Sequence, residues 1–191
     1  MSKGRLTTRI IAYAAVSTAL VMAFTLMGFS SAQFYFNLGD TVILLVAALC
    51  GPIIGGLAGG LGSFFADLAV YPATMFYTLV IKGIEGFLCG LFLSLWRRKT
   101  NGKKKIVLSI VTMFLSVVWM AMGYFLCQSL FYGSMQTALV ALPMDAVQGT
   151  VSFTLSVVLY YAFKMENLRD KLGLNFSKKE NKETKEESKE S

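Results

Sequence analysis

The feature that most constrains this chain is a series of long apolar segments separated by short polar links. Six such segments occupy residues 6–29, 38–50, 52–71, 72–96, 106–132 and 143–163. A bilayer core of about 30 Å is crossed by about twenty apolar residues in an α-helix. With 55% hydrophobic residues overall, the sequence predicts an all-α integral membrane protein with six transmembrane helices. The first segment has full helix length, which favours a permanent span over a cleaved signal peptide.

The three prolines coincide with predicted helix starts. Pro52, Pro72 and Pro143 each begin an apolar segment, where the missing N–H does no harm. Only Gly51 and Pro52 separate the second segment from the third, which predicts a tight helical hairpin.

The distribution of cations predicts the orientation. Every Lys and Arg except Lys82 lies in the leader, in the link 97–105 or from residue 164 onward. Because Lys and Arg in short loops are retained on the cytoplasmic side, we expect both termini in the cytoplasm of a plasma-membrane protein. The net charge of +7 comes mostly from this asymmetry, so we do not interpret it as a nucleic-acid-binding surface.

The sequence predicts two regions, a membrane domain over residues 1–170 and a charged cytoplasmic tail over residues 171–191. From about residue 177 the tail consists mainly of Lys, Glu, Ser and Asn. Such a composition has too little apolar surface to fold and favours disorder. A regulatory or partner-binding role for the tail is the alternative.

The chain lacks the residues that several common catalytic and metal-binding sites need. The chain has no histidine, which removes His-based nucleophiles, metal sites and proton relays. The glycine-rich run over residues 55–62 lacks the Gly-Lys-Ser/Thr ending of a phosphate loop. Its Gly55/Gly59 and Gly56/Gly60 pairs instead predict close helix packing. We therefore expect neither an enzyme nor a bound metal or cofactor.

Two charged residues stand in the middle of the fourth segment. Lys82 and Glu85 are three residues apart, so they share one helix face. Charges at membrane depth are unfavourable unless they pair or face a polar cavity. We favour a role in or directly beneath a binding site; an intrahelical structural bridge is the alternative.

Other polar residues are expected near the outer ends of the helices, where an incoming solute can reach them. They are Asn37, Asp40, Asp67, Tyr71, Tyr77, Gln128, Asp145 and Gln148. For Asp40 and Asp145 we favour capping of helix starts. The tyrosines fit an interfacial aromatic belt equally well.

A stripe of small residues marks the first segment. Ala15, Ala19 and Ala23 recur every four residues and share one helix face. The stripe indicates either internal packing or a face that docks on another membrane protein.

Several of these motifs together resemble a known family. They are the run Tyr-Phe-Asn-Leu-Gly-Asp over residues 35–40, the Cys-Gly-Pro hairpin over 50–52, Phe-Ala-Asp-Leu over 65–68 and Thr-Leu-Val-Ile-Lys-Gly-Ile-Glu-Gly over 78–86. Over residues 5–170 the chain resembles the substrate-binding S components of energy-coupling factor (ECF) vitamin transporters. The Ala15-x-x-x-Ala19 stripe resembles the motif by which such components dock on their partner.

This resemblance implies a membrane protein that captures a vitamin or its precursor outside the cell. It implies as partners a transmembrane T subunit and two cytoplasmic ATPase subunits, whose ATP hydrolysis drives release inward. It also implies a lid formed by the first outer loop. The positions that it implies for ligand binding are residues 35–40 and 67–77, Lys82, Gln128 and Gln148. With Glu85 added from the charged pair, the candidate ligand-binding residues are Asn37, Asp40, Asp67, Tyr71, Tyr77, Lys82, Glu85, Gln128 and Gln148.

Within the family the sequence is most similar to the branch that handles riboflavin, hydroxymethylpyrimidine and pyridoxine. We favour hydroxymethylpyrimidine or pyridoxine over riboflavin. Two other functions stay open from the residues alone. One is an enzyme acting on membrane lipids, although its carboxylates would be expected to cluster. The other is an independent ion-coupled transporter or small channel that uses Lys82 and Glu85 as an ion site.

Overall fold

A computed structural model describes residues 3–31, 34–131, 135–172 and 174. The elements, in chain order, are α1 (Lys3–Leu26), β1 (Phe29–Ser31), β2 (Phe34–Phe36), α2 (Gly39–Cys50), α3 (Pro52–Val70), α4 (Met75–Lys99), α5 (Gly102–Phe131), α6 (Met135–Ala162) and α7 (Met165–Lys171). The all-α prediction is confirmed, and the described residues add only a short antiparallel hairpin, β1–β2, between α1 and α2. Most of the predicted tail lies outside the described residues.

Five of the described helices are long and apolar enough to cross a membrane. They are α1, from Thr7 onward, and α3, α4, α5 and α6. The sixth predicted span corresponds to α2, which is apolar but has only 12 residues. The protein is therefore a multi-pass membrane protein, and the count of six spans depends on α2 as a partial span.

The short helix α2 lies at the centre of the bundle. At 1.5 Å per residue it is about 18 Å long, well short of the bilayer core. It ends at Gly51 (φ 89°), and α3 begins directly with Pro52, so the predicted tight hairpin is confirmed. Leu44 and Ala47 belong to one hydrophobic core cluster, while other α2 side chains belong to a second. The start of α2 is consequently held inside the bundle.

The prediction that prolines begin the helices holds only for Pro52. Pro72 lies in a turn that precedes α4, which begins at Met75. Pro143 lies inside α6, because that helix begins at Met135 rather than at residue 143. Membrane helices tolerate an internal proline, since neighbouring groups satisfy the freed backbone carbonyl. The predicted start of the sixth segment was wrong for this reason, whereas α4 begins three residues after its predicted start.

Glycines bring α3 and α4 into backbone contact, as the small-residue pattern predicted. A Cβ at Gly86 would lie 2.2 Å from the carbonyl oxygen of Gly55, and one at Gly59 would lie 2.6 Å from the carbonyl oxygen of Lys82. No side chain fits at either contact. The two helices are thus locked together at the level of Lys82, which fixes the position of that lysine.

Candidate ligand-binding site

The Lys82 side chain forms its hydrogen-bonded ion pair with Asp40, on a different helix. Lys82 Nζ donates to Asp40 Oδ1. Glu85 lies farther away, with its Oε2 3.7 Å from the same nitrogen. All three side chains are buried, with 4% exposure for Lys82 and 0% for both carboxylates. The predicted Lys82/Glu85 pair exists, but Asp40 is the principal counter-ion.

The length of α2 explains how Asp40 reaches this depth. Asp40 is in the first turn of α2, and its carboxylate oxygens accept hydrogen bonds from Lys82 on α4 and Gln148 on α6. Because α2 is only about 18 Å long and continues directly into α3 at Gly51, its first turn comes level with Lys82 of α4. Asp40 does lie at a helix start, as the capping interpretation expects, but its side-chain hydrogen bonds run to two other helices. The signal in the sequence was an apolar segment too short to span the bilayer.

Gln148 connects this ion pair to the segment between β2 and α2. Its Nε2 donates to Asp40 Oδ2 at 2.7 Å. Its Oε1 accepts from the backbone N–H of Asn37 at 3.1 Å and from Asn37 Nδ2 at 3.4 Å. The backbone N–H of Gly39 in turn donates to Asn37 Oδ1 at 2.8 Å. These contacts tie the segment that follows the β-hairpin to α6 directly above the ion pair.

An aromatic wall borders the ion pair on the side of α5. The Tyr124 ring centroid lies 5.3 Å from Lys82 Nζ, a cation–π distance, and its hydroxyl donates to Thr78 Oγ1 at 3.2 Å. Tyr77 packs edge-on against Tyr124, with centroids 5.9 Å apart, and stacks on Phe131 at 6.1 Å. Sequence analysis missed Tyr124, because nothing in the pattern of α5 distinguishes it from membrane-facing aromatic residues.

Several buried acceptor atoms near the ion pair have no hydrogen-bond partner. They are both carboxylate oxygens of Glu85, Oε1 of Gln128 and Oδ2 of Asp145. Gln128 lies one turn from Tyr124 on α5. Asp145 lies in the middle of α6, three residues before Gln148, and interacts electrostatically with Lys82 and Asp40. The prediction that Asp145 caps a helix was wrong, since α6 begins ten residues earlier.

Two predicted residues lie farther from this cluster. Asp67 Oδ2 accepts a 2.6 Å hydrogen bond from the Thr74 hydroxyl, in the turn between α3 and α4. Asp67 interacts with Lys82 only electrostatically. Tyr71 is 57% exposed at the same turn. Its role as a ligand-binding residue stays a prediction.

The buried cluster combines acidic and basic side chains. Asp40 and Glu85 provide two carboxyl groups and Lys82 one amine, with Asp145 nearby. Among the described residues, no three Asp, Glu, Cys or His side chains are grouped as metal ligands. The unpartnered oxygen atoms of this cluster suit a small ligand that brings hydrogen-bond donors.

Comparisons with known proteins agree with this description. The sequence profile of the family described as "ECF-type riboflavin transporter, S component" matches residues 5–165. The thiamine precursor transporter HmpT of Lactococcus lactis subsp. cremoris is 30% identical over 148 residues, which cover 77% of this chain and 80% of that protein.

A second relative is an uncharacterized protein of Pyrococcus woesei. It is 42% identical over 103 residues. The match covers 54% of this chain and 65% of that protein, just under two thirds of its length.

Proposed function

We propose that this chain, which belongs to the family of S components of ECF-type riboflavin transporters, captures a small hydroxymethylated heteroaromatic ring outside the cell for uptake. Vitamin transport follows from the family and from the similarity to a thiamine precursor transporter. The proposed ligand is the hydroxymethylpyrimidine precursor of thiamine, with pyridoxine as the nearest competitor and riboflavin as the alternative.

The observation that carries this choice is the excess of buried acceptors. Glu85, Gln128 and Asp145 together present four buried oxygen atoms without a donor. Hydroxymethylpyrimidine brings an amino group and a hydroxyl group, and its ring becomes cationic when protonated. The pyrimidine-like edge of riboflavin instead presents two carbonyl oxygens around a single N–H. Since unpaired buried acceptors are costly, the donor-rich ring is favoured.

Each part of the cluster has a proposed role in binding. The ring stacks against Tyr77 and Tyr124, because a flat heteroaromatic ring gains most from aromatic faces. Asp145 and Gln128 accept from its amino and hydroxyl groups. Lys82, held by Asp40, directs a remaining N–H toward a ring nitrogen. Glu85, one turn deeper, balances the charge beneath the ligand.

The outer loop acts as a lid in this proposal. Asn37 and Gln148 join the segment before α2 to α6 through two hydrogen bonds. Breaking these bonds would free the loop without disturbing the Lys82–Asp40 pair. Asp67 and Tyr71 lie at the neighbouring outer turn, where they would contact an entering ligand.

The proposed partners are a T subunit and two cytoplasmic ATPase subunits. Ala15, Ala19 and Ala23 are all exposed on α1, which supports the docking interpretation of the stripe over internal packing. We place the protein in the plasma membrane with both termini in the cytoplasm, since the cationic links 97–105 and 164–171 lie on one side.

Titration of the isolated protein with each ligand tests the choice of substrate. Calorimetry should give the tightest binding for hydroxymethylpyrimidine, and Asp145→Asn should weaken it about tenfold, as expected for one charge-assisted hydrogen bond. Asp170→Asn, which removes an exposed carboxylate from α7, is the matched control and should leave the affinity unchanged. Tightest binding of riboflavin, or equal affinities for the wild type and Asp145→Asn, would contradict the proposal.

Co-expression with ECF subunits tests the assembly. An S component should be recovered in a complex with the T and ATPase subunits. Ion flux through the purified protein alone, without any such complex, would support an independent ion-coupled transporter instead.

A further inference from the structure

A second charged cluster lies at the opposite, cytoplasmic end of the bundle. There the C-terminal end of α2 meets two arginines from different helices. Arg97 Nη2, from α4, donates to the carbonyl oxygen of Ala48 at 3.2 Å, and Arg169 Nη1, from α7, donates to the same oxygen at 3.4 Å. Two guanidinium groups thus share one neutral acceptor.

These arginines lack a counter-ion among the described residues. None of the described salt bridges includes Arg97 or Arg169. Glu166, the acidic residue in the first turn of α7, is bound to Lys105 and accepts from the Tyr160 hydroxyl. Asp170 is exposed and acts on Arg169 only through its electrostatic field. The cluster therefore carries uncompensated positive charge.

The cluster also contains buried donors without acceptors. The Nε atoms of Arg97 and Arg169 and the hydroxyl of Ser94 are buried and unpartnered. Arg169 is only 6% exposed. Burial, together with the neighbouring Arg97, lowers the pKa of Arg169 to about 10, so its guanidinium stays charged at neutral pH. Buried charged donors of this kind are stabilised by an anion.

Two donor atoms converge beside Gly51. A Cβ built on this residue would meet Arg169 Nη2 and Ser94 Oγ at 3.8 and 3.9 Å, which are ordinary contact distances. Both donors therefore approach the same point at the turn between α2 and α3. Gly51 adopts a left-handed conformation (φ 89°), which disfavours any side chain at this point.

The surroundings place this point at the edge of the membrane. The chain turns sharply at Lys164 (φ 46°), which lies between α6 and α7. Phe163, Leu168 and Leu172 are exposed beside the cations of this segment. Exposed apolar side chains next to lysines are typical of a helix that lies in the lipid headgroup region. The link 97–105 adds further exposed cations that attract anions.

We infer that Ser94, Arg97 and Arg169 form a binding site for a phosphate group, separate from the vitamin site. The phosphate belongs either to the headgroup of an acidic phospholipid of the inner leaflet or to free inorganic phosphate. The planar guanidinium groups provide paired N–H donors that match phosphate oxygens. Binding fixes α7 against the ends of α2 and α4.

Native mass spectrometry of the full chain tests this site. The protein is equilibrated with phosphatidylglycerol, with phosphatidylcholine or with inorganic phosphate. Phosphatidylglycerol should bind saturably and more tightly than phosphatidylcholine, and Arg169→Gln should weaken it about tenfold, the loss expected for a hydrogen bond between charged groups. Lys171→Gln removes the same charge from an exposed position of α7 and is the matched control; it should have a much smaller effect.

The other measurements distinguish a lipid phosphate from free phosphate and provide further variants in case one does not fold. If inorganic phosphate binds in an Arg169-dependent manner while the two lipids bind equally, the site stands and its ligand is free phosphate. Arg97→Gln and Ser94→Ala repeat the measurement should Arg169→Gln fail to fold. The inference would be overturned if these variants and Lys171→Gln lost affinity equally, or if neither phosphatidylglycerol nor inorganic phosphate bound.

Discussion

Replacement of Asp40 by Asn should destabilise the protein far more than replacement of Glu85 by Gln. Asp40 accepts hydrogen bonds from both Lys82 and Gln148. An Asn side chain has one acceptor oxygen, so one of these buried donors loses its partner, and Lys82 loses its nearest counter-charge. Removing one partner of a buried ion pair costs about 3–5 kcal/mol. Because Glu85 still lies 3.7 Å from Lys82, we expect about 3 kcal/mol for Asp40→Asn.

For Glu85→Gln the expected change is small. Both carboxylate oxygens of Glu85 lack hydrogen-bond partners, so the substitution breaks none. The free energy of unfolding should change by less than about 1 kcal/mol, in either direction.

The assay is denaturant unfolding in mixed micelles, followed by circular dichroism, with a double-mutant cycle. Asp40→Asn and Lys82→Met should be coupled by about 2 kcal/mol, whereas Glu85→Gln and Lys82→Met should be coupled much less. Asp170→Asn reports any general effect of removing a carboxylate. If Glu85→Gln destabilises the protein as much as Asp40→Asn, the assignment of Asp40 as the principal counter-ion is refuted.

Three further predictions concern packing, the lid and assembly. Gly86→Ala should lower the free energy of unfolding by about 2 kcal/mol through backbone overlap, whereas Gly83→Ala, whose Cβ has no atom closer than 3.7 Å, should be nearly neutral; equal effects in thermal unfolding would contradict the close α3–α4 contact. Gln148→Leu removes the bonds between Asn37, Gln148 and Asp40, so stopped-flow fluorescence should report faster ligand release, and an unchanged rate would argue against the lid. Ala19→Trp should prevent co-purification with the T subunit while calorimetry shows normal ligand binding; an intact complex would argue against docking through α1.

The apolar pattern of the sequence was sufficient to predict the class and most of the helices. Hydrophobic segments of helix length leave little choice in a bilayer, because every backbone polar group must be satisfied within the segment. The glycine pairs of α3 also predicted its close packing. The start of α6 was missed because the proline rule for soluble helices does not exclude Pro143 from the interior of a membrane helix.

The polar contacts were harder to predict, because they join residues far apart in the chain. Asp40 and Lys82 are 42 residues apart and Asp40 and Gln148 are 108 apart. Local spacing favoured Glu85 as the partner of Lys82 and a capping role for Asp40. Only the packing of a short α2 against α4 and α6 brings these side chains together. Sequence analysis nevertheless included Asn37, Lys82, Gln128 and Gln148 in the candidate site, because polar groups in membrane helices are rarely without function.

Because Asp40 accepts hydrogen bonds from both Lys82 and Gln148, the start of α2 takes part in two sets of contacts. Its first turn holds the counter-ion of Lys82, and the residues just before it carry the contact between Asn37 and Gln148. A change at the candidate site is therefore expected to reach the loop before α2 through one short helix. Ligand capture and lid closure are expected to be coupled for this reason.

The most direct test of the account is identification of the small molecule that the protein retains. The wild-type protein, purified without added vitamin, is denatured and its released ligand analysed by mass spectrometry. We predict close to one equivalent of hydroxymethylpyrimidine or a similar amino-substituted ring, and markedly less from Asp145→Asn. Recovery of riboflavin, or of equal amounts of ligand from both proteins, would contradict the proposal that the buried acceptors select a donor-rich ring.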